Sequence, residues 1–68
     1  MNRKQIAVEL MRGILCEQKN DHKKIADAIV AGKTFDEICA TTKINDWPET
    51  YVWVKNELKI NESNENCN

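Results

Sequence analysis

A chain of 68 residues is long enough for one small domain and too short for a large hydrophobic core. Hydrophobic residues make up 41% of the chain and charged residues of both signs 31%, a composition that favours a folded domain over a disordered segment. No apolar run approaches the roughly 20 residues of a membrane-spanning helix, and no apolar signal-peptide region follows the basic start. The sequence therefore predicts a cytoplasmic protein with no membrane contact.

The few residues that could carry chemistry are scattered. A structural zinc site needs four ligands at short spacings, whereas this chain has three separated cysteines and one histidine. Cys16 and Cys39 fall on apolar helix faces, where we expect small buried thiols, and Cys67 lies in the polar end. His22, beside a predicted helix start, is interpreted as an exposed side chain. With no glycine-rich phosphate loop and no catalytic pairing of side chains, we expect no metal, no cofactor and no enzymatic activity.

The first predicted helix covers about residues 2–18. Its apolar residues recur three or four positions apart and form one broad stripe, consisting of Ile6, Ala7, Leu10, Met11, Ile14 and Leu15. Asn2 is a favourable N-cap. Gly13 costs about 1 kcal/mol relative to alanine inside a helix, and it is interpreted either as the point of a close helix crossing or as a merely tolerated residue.

Two shorter helices follow. The second is predicted to begin at an Asp21 cap and to end near Ala31, before a left-handed cap at Gly32. Its inward residues are Ile25, Ala26, Ile29 and Val30. The third begins at Thr34, which forms the pattern of a capping box with Glu37, and it ends near residue 42. Its inward residues are Phe35, Ile38 and Cys39.

The fourth predicted helix begins after an apolar turn residue, Ile44. Asp46 is the expected N-cap, with Trp47 and Pro48 in the first turn. The inward stripe is Trp47, Tyr51, Val54 and Leu58, widened on one side by Val52, and Trp53 lies off its centre. The chain from residue 61 is polar and without periodicity. The sequence thus predicts an all-α fold: one four-helix domain over residues 1–60, containing a helix-turn-helix-like tri-helical unit, and a disordered tail over residues 61–68.

Two stretches between residues 24 and 59, about half of the chain, carry a resemblance to a known family. The letters IADAIVAGKTFDEICATTKIN and then ETYVWVKNEL give a helix ending at a glycine, a capped helix, an apolar turn residue and a last helix. This succession resembles helix-turn-helix DNA-binding regulators, and the resemblance implies a DNA-binding transcriptional regulator. It implies that Thr50, Trp53, Lys55 and Asn56 face the DNA groove. The implied phosphate contacts are Lys23, Lys24, Lys33 and Lys43.

The charge of the chain keeps a second function open. The net charge is −1, and the last predicted helix carries Glu49 and Glu57 but no arginine, whereas DNA affinity depends on neutralising phosphates. The alternative is a small acidic adaptor or inhibitor, of the kind encoded by phages or other mobile elements. Such a protein would bind a larger protein through an aromatic and acidic face, with Trp53 as an exposed anchor.

The oligomeric state depends on the first helix. Four short helices can share one core, which would leave a monomer. The tri-helical unit can also in principle form a core without the first helix, which would then pair two copies through Leu10, Met11 and Ile14. The sequence therefore predicts DNA or a larger protein as the partner, and it favours a homodimer through this helix slightly over the monomer.

Overall fold

The computed structural model describes the backbone of residues 2–66 and the side chains of residues 2–59. The helices are α1 (Arg3–Arg12), α2 (Lys19–Val30), α3 (Phe35–Thr41) and α4 (Pro48–Asn66), and short 3-10 turns cover Cys16–Gln18 and Ile44–Asp46. No strand occurs within this described part of the chain. The predicted all-α fold with four helices is confirmed.

Helix α1 ends earlier than the sequence predicts. The side chain of Asn2 accepts a hydrogen bond from the amide of Gln5 at 2.8 Å, so the predicted N-cap is present. The helix stops before Gly13, whose φ of −108° and ψ of 12° take the chain out of the helical conformation. Neither interpretation of Gly13 holds, because it is an exposed helix end with no atom near the position of a Cβ. Leu15 consequently leaves the stripe and is 61% exposed.

Helix α2 begins two residues before the predicted cap, and Asp21 lies within it. Its other end follows the prediction, because Gly32 has a φ of +86°, which glycine adopts without steric cost. The amide of Gly32 donates to the carbonyl of Ile29 at 3.1 Å. The amide of Lys33 donates to the carbonyl of Ala28 at 3.1 Å. These two bonds form a Schellman motif, which satisfies carbonyls that the helix leaves unpaired.

Helix α3 begins with the predicted capping box. The hydroxyl of Thr34 accepts from the amide of Glu37 at 3.2 Å, and the carboxylate of Glu37 accepts from the amide of Thr34 at 3.4 Å. Both side chains thereby satisfy amides that the first turn of a helix leaves unpaired.

Helix α4 begins one residue later than predicted. Asp46 lies in the 3-10 turn rather than at the cap, and the carbonyl of Trp47 accepts the first helical bond, from the amide of Tyr51 at 2.8 Å. A residue that precedes proline is disfavoured in the helical conformation. Trp47 therefore stays outside the helix, at φ −123° and ψ 83°, and Pro48 takes the first helical position.

The far end of α4 runs past the predicted boundary of the domain. The backbone is helical as far as Asn66, whereas the side chains from residue 60 onwards lie outside the described residues. Cys67 and Asn68 lie outside them altogether. For the predicted disordered tail over residues 61–68, the structure therefore describes only the backbone of residues 61–66.

One hydrophobic core is shared by all four helices and the second 3-10 turn. Its buried members are Ile6, Ala7, Leu10, Ile25, Ala26, Ile29, Ile38, Ile44, Val54 and Leu58. All of them were predicted to face inward on a helix except Ile44, which was predicted as an apolar turn residue. Val30 and Val52 were also predicted to face inward, but they are 56% and 55% exposed. Both lie at the edge of their apolar stripes, which the neighbouring helices do not cover.

The start of α1 is fastened to the end of α2. The guanidinium of Arg3 donates to the carbonyl of Ile29 at 3.0 Å and to that of Lys33 at 2.8 Å. Carbonyls at the end of a helix lack helical partners and carry partial negative charge, so a cation there is favourable. The contact places the first residue of α1 beside the last turn of α2, and the two helices therefore run antiparallel.

Candidate functional site

A buried polar contact joins the first turns of α2 and α4. His22 is 1% exposed, with Nδ1 at 2.9 Å from the carbonyl of Gln18 and Nε2 at 3.0 Å from the hydroxyl of Thr50. A carbonyl can only accept, so in the neutral imidazole Nδ1 donates and Nε2 accepts from the Thr50 hydroxyl. The prediction of an exposed His22 was wrong. Thr50, predicted to face DNA, is engaged in the contact between the helices.

Trp47 completes this contact. Its ring packs against the imidazole of His22 with centroids 5.0 Å apart, and its indole nitrogen donates to the carboxylate of Asp21 at 3.4 Å. The side chain is half-buried. The sequence contained a signal for this packing, because His22 stands three and four residues before Ile25 and Ala26 and so lies on the buried face of α2.

The remaining DNA-facing residues predicted on α4 point in different directions. Residues two positions apart on a helix are about 200° apart around its axis, so Trp53 and Lys55 occupy opposite flanks. Trp53 borders α1, whereas the ammonium of Lys55 lies 5.9 Å from the ring centre of Tyr51. Tyr51 in turn packs edge-on against Phe35 of α3, at 5.0 Å. Asn56 is exposed on the outward side. Trp53 and Asn56 therefore share one side of α4, whereas Lys55 lies on the opposite flank and Thr50 is engaged with His22.

The lysines predicted to contact phosphates lie on three different segments of the chain. Lys23 borders a groove between α1 and α2, and Lys24 is exposed on α2. Lys33 follows α2, with its ammonium 3.8 Å from the carboxylate of Glu37. Lys43 is exposed in the connection between α3 and the second 3-10 turn. Lys23 and Lys24 are neighbours on α2, whereas Lys33 and Lys43 lie in two different connections.

An apolar surface with an acidic neighbour covers the outward side of α4 near its start. We call it the α4 face, and it consists of Pro48, Glu49, Val52, Trp53 and Asn56. Val52 is 55% exposed and Trp53 is half-buried. A second depression adjoins the α4 face, shares Glu49 and Trp53 with it, and adds Glu9 of α1. Neither depression is lined by a lysine or an arginine.

The three residues predicted to form a dimer face on the first helix lie in three different places. Leu10 is 7% exposed and belongs to the core. Met11 is half-buried and borders the groove between α1 and α2. Ile14 lies beyond the end of α1, half-buried in the depression next to Trp53. These three side chains do not form one exposed surface, because α1 ends before Ile14 and buries Leu10.

The two described cysteines differ in exposure. Cys16 is exposed, contrary to the prediction, because it lies beyond the end of α1 in the first 3-10 turn. Cys39 is half-buried against the core, as its position on α3 predicts. Burial and, to a lesser extent, the carboxylate of Asp36 raise the pKa of the Cys39 thiol, while Lys55 acts in the opposite direction. Because the thiolate is the nucleophilic form, the raised pKa makes Cys39 a weak nucleophile at neutral pH.

Three further findings bear on the class of the protein. Among the residues that the structure describes, no three His, Cys, Asp or Glu side chains are grouped so that they could hold a metal ion. None of the described helices combines the length and the apolar character that crossing a bilayer requires. Comparisons of the chain with protein-family models, with curated proteins and with solved structures found no match.

Proposed function

We propose that this protein is a small adaptor or inhibitor that docks on a larger protein through the α4 face. The observation that carries the proposal is the contiguous apolar surface that Pro48, Val52 and the exposed part of Trp53 form on α4. The rest of Trp53 packs against the core. Singly scattered apolar residues are common on protein surfaces, so it is the adjacency of these three side chains that favours an interaction site. Tryptophan is also among the residues that contribute most to binding energy at protein interfaces.

The charges beside this surface indicate the chemistry of the partner. Glu49 is exposed within the α4 face, and Glu9 borders the adjoining depression. The carboxylate of Glu9 accepts a hydrogen bond from Arg12 at 3.0 Å, which leaves Glu49 as the dominant charge. Complementary charge favours a partner with a basic patch. The same carboxylate would repel a phosphate, so this face suits a protein better than DNA.

The test is a pull-down from cells of the source, followed by reconstitution with each purified partner. Trp53→Ala removes the aromatic anchor, and Val52→Lys places a charge that opposes a basic partner. Val8→Lys is the matched control, because Val8 is 54% exposed on α1 and undergoes the same chemical change away from the α4 face. We expect both α4 variants to lower the affinity at least about tenfold, which corresponds to 1.4 kcal/mol.

For a partner held by the α4 face, the control variant should bind as the unchanged protein does. Recovery of the partner should also fall as salt screens the charge contribution. Equal recovery of every partner by the unchanged protein and by both α4 variants would contradict the proposal.

DNA binding is the second candidate. It is supported by the order of the elements, in which α3 is followed by a turn that buries Ile44 and then by α4. Lys43, Lys55 and Asn56 are exposed near this connection or on α4. Fluorescence anisotropy with a mixed-sequence duplex at low salt tests it. Micromolar binding that weakens with salt and with Lys55→Gln would favour this candidate, and no binding near micromolar concentrations would end it.

A further inference from the structure

A second apolar surface lies between α1 and α2, at residues that the α4 face does not use. It is a groove of about 520 Å³. Its apolar lining consists of Ala7, Val8, Met11, Ala26 and Val30. Val8 and Val30 are 54% and 56% exposed. Helix propensity does not explain valine at these exposed positions, because valine is a weaker helix former than most residues. Ala7 and Ala26 are small and buried, so they form a floor between the two valines. This groove, which we call the α1–α2 groove, is an open apolar trough between two helices.

The rim of the α1–α2 groove is mainly basic. It carries Lys4, Arg12 and Lys23, with Asp27 as the single acid. Because α1 and α2 are antiparallel, Lys4 stands at one end of the groove, and Arg12 and Lys23 stand at the other. Arg12 donates to Glu9 at 3.0 Å, whereas Lys4 and Lys23 form no ion pair within the described part of the chain. The groove therefore presents unpaired positive charge at both ends.

We propose that the α1–α2 groove binds an acidic amphipathic helix of a partner protein. From Lys4 to Arg12 the groove is about 12 Å long at 1.5 Å per residue, which matches roughly two turns of a docked helix. Apolar anchors at positions i, i+4 and i+7 of that helix fit such a groove. Carboxylates flanking the anchors complement the ammonium groups of Lys4 and Lys23.

The charge of the rim argues against a second copy of this chain in the same groove. A twofold contact brings the same surface patch of two copies together. The rim would then face an identical rim, in which basic groups outnumber acidic ones, and like charges across an interface are unfavourable. The occupant is therefore a different, acidic chain. The inference is independent of the α4 face, and with both surfaces occupied the protein would join a basic and an acidic partner.

The probe is a fluorescein-labelled synthetic peptide of about 14 residues, a length at which an isolated helix is marginally stable. It carries leucine at i, i+4 and i+7 and glutamate at the flanking positions, and a control peptide replaces each glutamate with lysine. Fluorescence anisotropy measures the affinities, and backbone amide shifts in NMR spectra locate the site. We expect the acidic peptide to bind at least about tenfold more tightly than the basic one, with shifts concentrated on α1 and α2.

Three variants make the proposal falsifiable. Val8→Asp should weaken binding of the acidic peptide at least about tenfold, while Val52→Asp, the same change at equal exposure on the α4 face, should leave the affinity unchanged. The double change Lys4→Gln and Lys23→Gln should lower the affinity and remove most of its dependence on salt. Circular dichroism checks that each variant is folded.

Several results would overturn the proposal. They are equal binding of the two peptides, no binding at all, amide shifts confined to other elements, or the same affinity for Val8→Asp as for the unchanged protein. A dimer in sedimentation that Val8→Asp dissociates would instead make the groove an interface between copies. If Val52→Lys loses its cellular partners while Val8→Asp has no effect on peptide binding, the groove proposal fails and the adaptor function stands.

Discussion

At the scale of single residues, the contact between His22 and Thr50 fixes the start of α4 against α2. Thr50→Val keeps the shape of the side chain but removes the hydroxyl, which leaves Nε2 of the buried imidazole without a partner. An unsatisfied buried polar group costs about 1–3 kcal/mol. His22→Ala also removes the ring that packs on Trp47, and we expect a loss of about 2–4 kcal/mol from the resulting cavity.

Urea unfolding followed by circular dichroism measures both free energies of unfolding. The matched control is Thr41→Val at the exposed end of α3, which should change the stability by less than about 0.5 kcal/mol. A Thr50→Val protein as stable as the control would show that the hydrogen bond does not contribute. The Thr50 hydroxyl would then be available to contact a ligand.

His22 also illustrates why some residues of a site cannot be assigned from an isolated sequence. The predicted helix start at Asp21 placed His22 in a first turn, where a polar side chain is expected to be exposed. The helix begins at Lys19 instead, so His22 lies well inside it, three residues before Ile25 and four before Ala26, on the same buried face. Its partner Thr50 is 28 residues away, and no local pattern indicates that pairing.

At the scale of the elements, the existence of each helix was predictable and several of its ends were not. Periodic apolar residues and the capping box at Thr34 identified the helices, because both depend on local geometry. The end of α1 was missed because the apolar spacing continues through Ile14 and Leu15, past the glycine. Only the packing of α1 against α2 shows that Leu15 has no core to join. The start of α4 was missed by one residue because Pro48 constrains the residue before it.

The contact of Arg3 with the end of α2 gives a prediction for that pair of elements. Arg3→Met keeps an apolar stem but removes the guanidinium that donates to two terminal carbonyls. We expect the free energy of unfolding to fall by about 1–2 kcal/mol, because charged donors at a helix C-terminus contribute this much in partly buried positions. Hydrogen exchange should accelerate first in the last turn of α2.

The neighbouring Lys4→Met is the control. It makes nearly the same change in charge at an exposed position, and it should alter stability by less than about 0.5 kcal/mol. If both variants lost equal stability in urea unfolding, net charge rather than the cap would be responsible, and the capping role of Arg3 would have to be abandoned.

At the scale of the whole molecule, the interior was predictable and the distribution of surface residues was less so. Every buried hydrophobic residue except Ile44, which lies in a turn, is on an apolar stripe that the sequence defines, because burial of those stripes is the main driving force for folding. Which edge of a stripe stays uncovered depends on how the helices cross. Val30 and Val52 are therefore exposed, and the α1–α2 groove, which two helices form together, had no counterpart in the sequence reasoning.

The same consideration yields a test of how the first helix is used. If α1 completes the core of a single chain, Leu10→Asp buries a carboxylate among Ile6 and its neighbours, at a cost that exceeds about 4 kcal/mol. A domain of this length has a total stability on the order of 3–10 kcal/mol, so we expect a largely unfolded protein by circular dichroism. Val8→Asp, on the same helix but 54% exposed, should remain folded. If the unchanged protein sediments as a dimer and the Leu10→Asp variant is a folded monomer, Leu10 instead faces a second copy.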